Sequence, residues 1–169
     1  MKVIIIGSGN VAWHLARAFK KSSLTFLGLH ARNHVEGRAI AKSTKSQFYD
    51  KMADLKVADI IMICVSDDAI STVAEELPRS IASDRIIVHT SGSASLDALT
   101  NCKRKGVFYP LQTFSKGARL NYSSIPICVS AESEKLTHQL QRVAACITTS
   151  VHTIDDNQRK QIHLSAVMV

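Results

Sequence analysis

The sequence has 169 residues, of which 46% are hydrophobic and 21% charged, and this composition indicates one compact globular unit rather than a disordered, collagen-like or coiled-coil chain. No apolar run approaches the ~20 residues of a membrane span, and no signal-peptide pattern follows Met1, so we expect a cytoplasmic protein that does not bind membranes. The net charge of +7 lies entirely within residues 1–56, which hold ten basic and three acidic residues and so favour an anionic partner there.

The first hundred residues alternate between strand-like and helix-like segments. Runs that are rich in β-branched residues and apolar on both faces predict buried parallel strands, and apolar residues at helical spacing predict the helices between them. The predicted strands cover residues 2–6, 24–29, 46–49, 59–65 and 85–89. The predicted helices cover residues 11–21, 34–45, 67–77 and 95–102.

From Gly106 onward the pattern changes, because two strand-like segments follow each other without a long crossover helix. The alternation before it, with a period of about 25 residues, predicts the α/β class with a doubly wound, mostly parallel sheet. The remaining predicted elements are strands over residues 107–114, 125–130 and 148–154, and helices over residues 132–146 and from Asp155 onward.

The chain end carries a prediction about domain organisation. Residues 164–169 form a largely apolar helical run that ends without a glycine, a proline or a polar stop. We therefore expect residues 1–154 to form the sheet domain. Residues 155–169 are then the first part of a helix that leads into a helical domain outside this sequence.

The four cysteines, Cys64, Cys102, Cys128 and Cys146, include no Cys-x-x-Cys pair. Two of them lie inside apolar strand-like runs and Cys146 ends an apolar helical face, which is typical of cysteines that pack as small hydrophobic residues. We therefore expect reduced thiols, with neither a disulfide framework nor a zinc or other metal site.

The strongest site motif is Gly7-Ser8-Gly9-Asn10-Val11-Ala12, a G-x-G-x-x-A sequence between a predicted strand and a predicted helix. In such a loop the first glycine permits the tight turn, the second lets the backbone approach a pyrophosphate, and the alanine lets helix and strand pack closely. Amide groups at the start of the helix then hold the phosphates. The motif predicts a dinucleotide site formed by Gly7, Ser8, Gly9, Asn10 and Val11.

The end of the second predicted strand indicates which dinucleotide binds. A site that selects NAD has Asp or Glu there, because a carboxylate binds the ribose 2′-hydroxyl. Here the segment is Leu29-His30-Ala31-Arg32-Asn33, and the next carboxylate is Glu36. A carboxylate would repel a 2′-phosphate, whereas the Arg32 guanidinium can bind one through a charge-assisted hydrogen bond. The sequence therefore favours NADP over NAD, and the alternative for Arg32 is an ordinary surface arginine.

Six segments together form a more specific pattern, namely residues 7–12, 31–33, 58–68, 89–92, 106–114 and 158–164. They resemble the Rossmann-like NADP oxidoreductases related to pyrroline-5-carboxylate reductase, a group that includes 6-phosphogluconate and β-hydroxyacid dehydrogenases. The resemblance covers nearly the whole chain and implies a Rossmann fold. In the most similar branch a C-terminal helical domain forms a dimer, so we expect a homodimer in the full-length protein.

The resemblance also implies further contacts to the cofactor. Cys64, Val65 and Ser66 would lie in the loop after the fourth strand, beside the adenosine-side ribose and the bridging phosphates. Asn33 would accompany Arg32 after the second strand. These positions agree with the general rule that open α/β sheets bind ligands outside the carboxyl ends of their strands. The alternative for Ser66 is a helix N-cap.

Hydride transfer to a carbonyl or imine needs a group that donates a proton to the developing anion or amine. In the dehydrogenases that the chain resembles, a lysine on the first helix of the second domain has this role. Here His163 is near that region, with Lys160 one helical turn earlier, and His89 at the end of the fifth strand is an alternative that is equally a structural residue. The resemblance places Ser91 near the nicotinamide, where it could bind substrate; a simple turn is the alternative.

The sequence thus leads to a first hypothesis of an NADP(H)-dependent oxidoreductase domain that transfers hydride to or from a small carbonyl or imine substrate. The alternative is a non-catalytic NADP-binding or sensor module in which the nucleotide controls dimerisation. Nucleic-acid binding is a third and weaker hypothesis, because the basic residues are dispersed, only 5% of residues are aromatic and no nucleic-acid motif occurs. We expect a small-molecule substrate and no nucleic-acid partner.

Overall fold

Eight strands form one sheet with helices on both faces in the computed structural model, which describes residues 1–167. This arrangement confirms the predicted α/β class with a doubly wound, mostly parallel sheet. The strands are β1 (Lys2–Ile6), β2 (Thr25–His30), β3 (Gln47–Phe48), β4 (Ile60–Ile63), β5 (Ile86–His89), β6 (Arg104–Pro110), β7 (Ile127–Ala131) and β8 (Val151–Thr153). The helices are α1 (Asn10–Lys21), α2 (His34–Thr44), α3 (Ile70–Glu76), α4 (Arg79–Asp84), α5 (Glu134–Ala145) and α6 (Asp156–Val167).

The strand order is β3-β2-β1-β4-β5-β6-β7-β8, so the chain begins inside the sheet and winds outward in both directions. Strands β1 to β6 are mutually parallel, β7 is antiparallel to β6, and β8 is parallel to β7. The antiparallel pair explains the change of pattern after Gly106, because antiparallel neighbours need no crossover helix. The register pairs Ile6 with both His30 and Ile63, so β1, β2 and β4 end at the same edge.

Alternate residues of the central strands pack on opposite faces of the sheet. On one face, Val3 and Ile5 pack with Phe19 of α1 and with apolar residues of α2 and α5. On the other face, Ile4 and Ile6 pack with apolar residues of α3 and α4. Because both faces are covered by helices, Val3–Ile6 of β1 and all four residues of β4 are apolar and buried, as a parallel sheet with two covered faces requires.

Two predicted helices have different bounds in the structure. The predicted helix over residues 67–77 is a 3-10 turn at Asp67–Ala69 followed by α3, which ends at Glu76, and Pro78 is the N-cap residue of the additional helix α4. Proline is compatible with a helix start, because the N–H that it lacks has no intrahelical partner there. The predicted helix over residues 95–102 is only a 3-10 turn at Leu96–Ala98.

Strand β6 begins and ends earlier than the predicted residues 107–114. Arg104 and Lys105 pair with β5 although their side chains are polar, and apolar patterning therefore missed them. The chain leaves the sheet after Pro110 and returns at Ile127. We call the intervening connection, residues 111–126, the strap.

The strap is fastened to α1 and α2 by polar contacts. His14 of α1 is fully buried, with its Nε2 atom 2.9 Å from the Ser115 carbonyl oxygen and its Nδ1 atom 3.0 Å from the Tyr122 hydroxyl. Because a carbonyl oxygen can only accept, Nε2 donates to Ser115, and the Tyr122 hydroxyl is the partner of Nδ1. An ion pair between Lys116 and Glu36 joins the strap to α2.

Helix α6 is the last described element. Met168 and Val169, which end the apolar run used to predict a further helical domain, lie outside the described residues. The division between residues 154 and 155 stays a prediction. No helix in the described part of the chain has the length and hydrophobicity that are needed to cross a bilayer.

We predict that His14→Phe lowers the free energy of unfolding by about 2–4 kcal/mol, because it leaves the Ser115 carbonyl and the Tyr122 hydroxyl without their buried partner. Tyr122→Phe removes only one of these hydrogen bonds and should cost about 1 kcal/mol. Urea unfolding of both variants measures the difference. Equal losses for the two variants would contradict an anchoring role for His14.

Candidate functional site

The loops after β1, β2 and β4 enclose a cleft of about 740 Å³ at their shared edge of the sheet. The ten residues that the sequence analysis assigned to cofactor binding all line this cleft. They are Gly7, Ser8, Gly9, Asn10, Val11, Arg32, Asn33, Cys64, Val65 and Ser66. The structure therefore brings three separate segments together around one space, while the ligand of that space stays a prediction.

The glycine loop brings β1 close to β4 and leaves the start of α1 open to the cleft. Gly7 has a φ of +130°, and a Cβ atom there would lie 2.1 Å from the Cys64 carbonyl oxygen, so only glycine fits. At Gly9, by contrast, no heavy atom lies within 4 Å of the position of an added Cβ atom. The protein itself leaves the space beside Gly9 open, as close approach of a ligand requires.

Helix α1 begins without a side chain that satisfies its first amide groups. Gly9 is the N-cap residue, no side chain makes a capping hydrogen bond, and the first turn has no acidic residue. The unpaired N–H groups and the helix dipole make such an N-terminus favourable for an anion. The open space at Gly9 and the uncapped helix both fit the diphosphate of a dinucleotide.

The end of β2 presents Arg32 to the same cleft. Arg32 is exposed, and it makes no ion pair with any residue of the described part of the chain. The neighbouring charged groups are occupied, since Glu36 pairs with Lys116 of the strap and Arg38 lies 2.8 Å from Asp50. Arg32 is therefore the positive side chain that this end of the cleft can offer to a ligand.

Two polar residues beside Arg32 have identifiable hydrogen bonds within the fold. The Asn33 side-chain oxygen accepts from the Glu36 amide at 3.1 Å and caps α2, so its amide nitrogen and backbone are what it can offer a ligand. His30 also lines the cleft, with Nδ1 2.8 Å from the Tyr49 carbonyl oxygen. Sequence reasoning did not single out His30, because only its pairing with Ile6 at the strand end places it here.

The loop after β4 contributes backbone rather than a reactive thiol. Cys64 is buried, its amide donates to the Ile6 carbonyl at 2.7 Å, and burial raises the pKa of its thiol to about 12. The thiol therefore stays protonated at neutral pH. Ser66 is the N-cap position of the following 3-10 turn, but its side chain makes no capping hydrogen bond. Its hydroxyl is exposed at the cleft instead.

The predicted substrate-side residues lie in a turn after β5 that is bonded to the loop after β4. The buried Ser91 hydroxyl oxygen accepts from the amides of Ser93 and Ala94, at 3.1 and 2.9 Å, and so shapes the turn. The Ser93 hydroxyl donates to the carboxylate of Asp67, which directly follows Ser66. This contact places the turn next to the cleft, with the proton of the Ser91 hydroxyl still available for donation.

Both ring nitrogens of His89 are used within the fold. His89 is fully buried, its Nδ1 accepts from the Ser91 amide at 3.2 Å, and its Nε2 lies 3.2 Å from the Ser95 carbonyl oxygen. Burial, together with the nearby positive charge of Arg159, lowers the pKa of His89 to about 4. The ring is therefore neutral at pH 7, and its geometry favours the structural role over proton transfer.

Helix α6 is fixed to the turn after β5 by the buried Arg159 and its half-buried partner Asp156. Arg159 is only 1% exposed, and it donates to Asp156 at 2.6 Å and to the Ala94 carbonyl oxygen. Asp156 in turn accepts from Ser95 and Leu96, at 3.0 and 2.9 Å. Burial alone would raise the pKa of Asp156, but the hydrogen bonds from Leu96 and Arg159 outweigh it and lower that pKa. Sequence reasoning missed this pair, because apolar periodicity carries no information about a buried arginine.

The contacts of Arg159 and Asp156 also place His163, which is on the same helix, against the turn after β5. His163 Nδ1 lies 2.9 Å from the Tyr109 hydroxyl at the end of β6, and the ring packs against Gly92. Lys160, the lysine considered beside it, is exposed. The structure therefore brings His163 and the turn that contains Ser91 together, whereas Lys160 is on a solvent-facing part of the helix.

We predict a pH dependence of stability that arises from His89. Its folded-state pKa of about 4 lies below the ordinary value of 6.5, so the unfolded state binds more protons between these pH values. The stabilisation is present above about pH 6.5 and is lost as the pH falls toward 4, by up to about 3 kcal/mol.

Urea unfolding at pH 7 and pH 4.5 tests this, with His89→Gln as the comparison because its amide cannot titrate. The variant should lose less stability between the two pH values than the wild type. The same pH dependence in both proteins would refute the assignment.

Comparison with known proteins agrees with this architecture. The chain is similar to a candidate NADP oxidoreductase from Bacteroides fragilis, with 26% identity and a TM-score of 0.87 over 99% of this chain and 65% of that protein. It is also similar to a protein from Thermotoga maritima, with 19% identity and a TM-score of 0.76 over 99% of this chain and 63% of that one.

A third similar structure is an imine reductase from Myxococcus stipitatus in complex with NADP+, with 14% identity and a TM-score of 0.79 over 99% of this chain and 60% of that protein. The chain thus spans 60–65% of the length of these three proteins. A comparison with curated proteins gave no match. The family model of the Rossmann-like domain matches residues 1–114. Because this match covers more than half of the chain, the chain belongs to the Rossmann-like domain family.

Proposed function

We propose that the chain is the NADP(H)-binding part of an oxidoreductase that transfers hydride to or from a small carbonyl or imine substrate. The observation that carries the proposal is the cleft itself. One end of the cleft has an uncapped helix N-terminus and an open glycine position. The other end has Arg32, which has no ion-pair partner among the described residues.

The choice of NADP over NAD rests on the charges at the end of β2. NADP differs from NAD by a 2′-phosphate, which favours a guanidinium and disfavours a free carboxylate. The carboxylate of Glu36 is neutralised by Lys116, and Arg38 is held by Asp50. Arg32 therefore determines the local charge that a ribose phosphate would meet.

The choice of reaction class rests on the neighbouring turn and on α6. A bound nicotinamide exchanges a hydride with a carbon atom of the substrate, and the heteroatom bonded to that carbon then needs a proton. The candidates for this role are His163 and the hydroxyl of Ser91, which belong to α6 and to the turn that Ser93 joins to the loop after β4. We assign proton transfer to His163 and substrate binding to Ser91.

The similar structures support the same class of reaction. The Bacteroides fragilis protein is described as a candidate NADP oxidoreductase, and the Myxococcus stipitatus enzyme is an imine reductase with bound NADP+. Because this chain spans only part of their length, we further propose that a helical domain outside this sequence completes the substrate site and forms the homodimer.

We predict that Arg32→Ala weakens NADPH binding about 10- to 100-fold, which corresponds to the loss of one charge-assisted hydrogen bond. NADH binding should change less than about 3-fold, since NADH has no 2′-phosphate for Arg32 to bind. Isothermal titration calorimetry of both nucleotides measures the two affinities.

Arg38→Ala is the matched control for the Arg32 variant. Arg38 lies in the same segment but is held by Asp50, so its removal should change NADPH affinity less than about 3-fold. Equal losses of NADPH and NADH affinity in Arg32→Ala would overturn the role of Arg32. A wild-type chain that binds neither nucleotide would overturn the proposed function as a whole.

We predict that Gly9→Ala weakens NADPH and NADH binding alike, by about 10-fold or more, because the added methyl group occupies the space that a diphosphate would approach. The folded protein has no atom near that methyl group, so the free energy of unfolding should change by no more than about 1 kcal/mol, the cost of a poorer N-cap residue. Calorimetry and urea unfolding separate the two effects. Unchanged binding of both nucleotides would show that the ligand does not approach Gly9.

A further inference from the structure

The hydroxyl of Tyr109 and the ring of His163 form a hydrogen-bonded pair. This pair is not part of the glycine motif, and the sheet does not need it to form. Tyr109 is the penultimate residue of β6 and is 8% exposed, and its hydroxyl oxygen lies 2.9 Å from Nδ1 of His163. The two rings meet edge to face, with centroids 5.8 Å apart. Strand β6 and helix α6 thus meet through one polar contact beside the proposed substrate site.

The surroundings of the hydroxyl decide which group donates. Among the described residues, the Tyr109 hydroxyl has no hydrogen-bond partner other than His163 Nδ1. If the hydroxyl only accepted from Nδ1, its own proton would have no acceptor among the described residues, which is unfavourable for a side chain that is only 8% exposed. Donation from Tyr109 to Nδ1 satisfies both atoms. A ring with a single proton then has that proton on Nε2, which makes no hydrogen bond within the described part of the chain.

Gly92 fixes the position of the pair. A Cβ atom at Gly92 would lie 2.4 Å from His163 Nδ1 and 2.8 Å from Cζ of Tyr109, so the backbone of the turn packs directly against both side chains. Gly92 follows Ser91 in the turn that Ser93 joins to the loop of the cleft. The pair is therefore held by the element that the proposed function assigns to the substrate.

We propose that Tyr109 is a positioning residue that fixes His163 as the Nε2–H tautomer, so that Nε2 presents a proton to the carbonyl oxygen or imine nitrogen of the substrate. The catalytic consequence rests on the proposed function, whereas the tautomer itself does not. A neutral imidazole in this state acts as an electrophile toward the substrate rather than as a base.

The proton transfers balance in the direction of reduction. A bound NADPH would supply the hydride to the substrate carbon; the electron pair of the double bond would move to the heteroatom, and His163 would give that heteroatom the proton of Nε2. Nδ1 takes the proton of Tyr109, so the ring keeps one proton and Tyr109 becomes a phenolate. The resting state returns when Nε2 takes a proton from water and the proton on Nδ1 goes back to the Tyr109 oxygen. An alkoxide is more basic than a phenolate, so the transfer runs downhill.

The surroundings of Tyr109 act on both its protonated resting state and its transient phenolate. Burial raises the pKa of the Tyr109 hydroxyl, so that the resting residue keeps its proton and can donate it. The positive charge of Arg159 acts on the same hydroxyl in the opposite direction, and it would stabilise the transient phenolate, whereas Asp67 opposes it. The buried arginine of α6 thus has an electrostatic role beside its structural one.

Nitrogen-15 NMR of the histidine rings tests the inference on the wild-type chain, at pH 8, where an imidazole is ordinarily neutral. Comparison with His163→Gln assigns the His163 signals among the seven histidines. We expect the proton on Nε2 and an Nδ1 signal typical of a hydrogen-bond acceptor. Tyr109→Phe should move the Nδ1 signal toward that of a nitrogen without a hydrogen bond.

Tyr122→Phe is the matched control, because it removes the corresponding hydroxyl from His14 and should leave the His163 signals unchanged. A wild-type His163 with its proton on Nδ1, or an Nδ1 signal that Tyr109→Phe does not move, would overturn the inference. Calorimetry of the same wild-type sample with NADPH reports separately on the proposed function. The wild-type spectrum decides the tautomer even if a variant does not fold.

Discussion

The close approach of the backbone at Gly7 to the carbonyl group of Cys64 is the constraint on which the site depends. The Gly7 amide also donates to the His30 carbonyl at 2.8 Å, so one residue is in contact with the ends of both neighbouring strands. A side chain at this position would separate β1 from β4. Because the three strand ends stay together, the N-terminus of α1, the segment after β2 and the loop after β4 face one cleft.

A second constraint, the pair of the buried Arg159 with the half-buried Asp156, determines how the turn after β5 is arranged. A buried arginine is costly unless its charge is paired and its N–H groups are satisfied, and here Asp156 and the Ala94 carbonyl meet most of that requirement. Removing Asp156 would leave the charge uncompensated in the interior. The pair therefore orders the turn after β5 and carries His163 to its position against Gly92. Gly7 thus orders the cofactor side of the proposed site, and Arg159 with Asp156 orders the substrate side.

The sheet and the glycine loop could be predicted from the sequence because both depend on local features. Strands that are buried on both faces have continuous apolar runs, and the G-x-G-x-x-A motif lies within six consecutive residues. The structure also brings Arg32 and residues 64–66 to the cleft, as the rule for strand ends in open sheets implies.

The features that the sequence did not predict depend on contacts between distant residues. The contacts of His14 with the strap, of Arg159 with Ala94 and of Tyr109 with His163 each join residues that are far apart in the chain and include no motif. The same limit applies to His89. Its position at the end of a strand suggested a role in proton transfer, and only the partners of its two nitrogens reveal a structural role.

The central claim is that this cleft holds a dinucleotide whose diphosphate lies on the start of α1 and whose ribose phosphate lies beside Arg32. A crystal structure of the chain with NADP tests it most directly. The account predicts the diphosphate against the backbone at Gly9 and the 2′-phosphate within hydrogen-bond distance of the Arg32 guanidinium. A nucleotide bound at another surface, or a cleft filled by side chains in the presence of NADP, would contradict it.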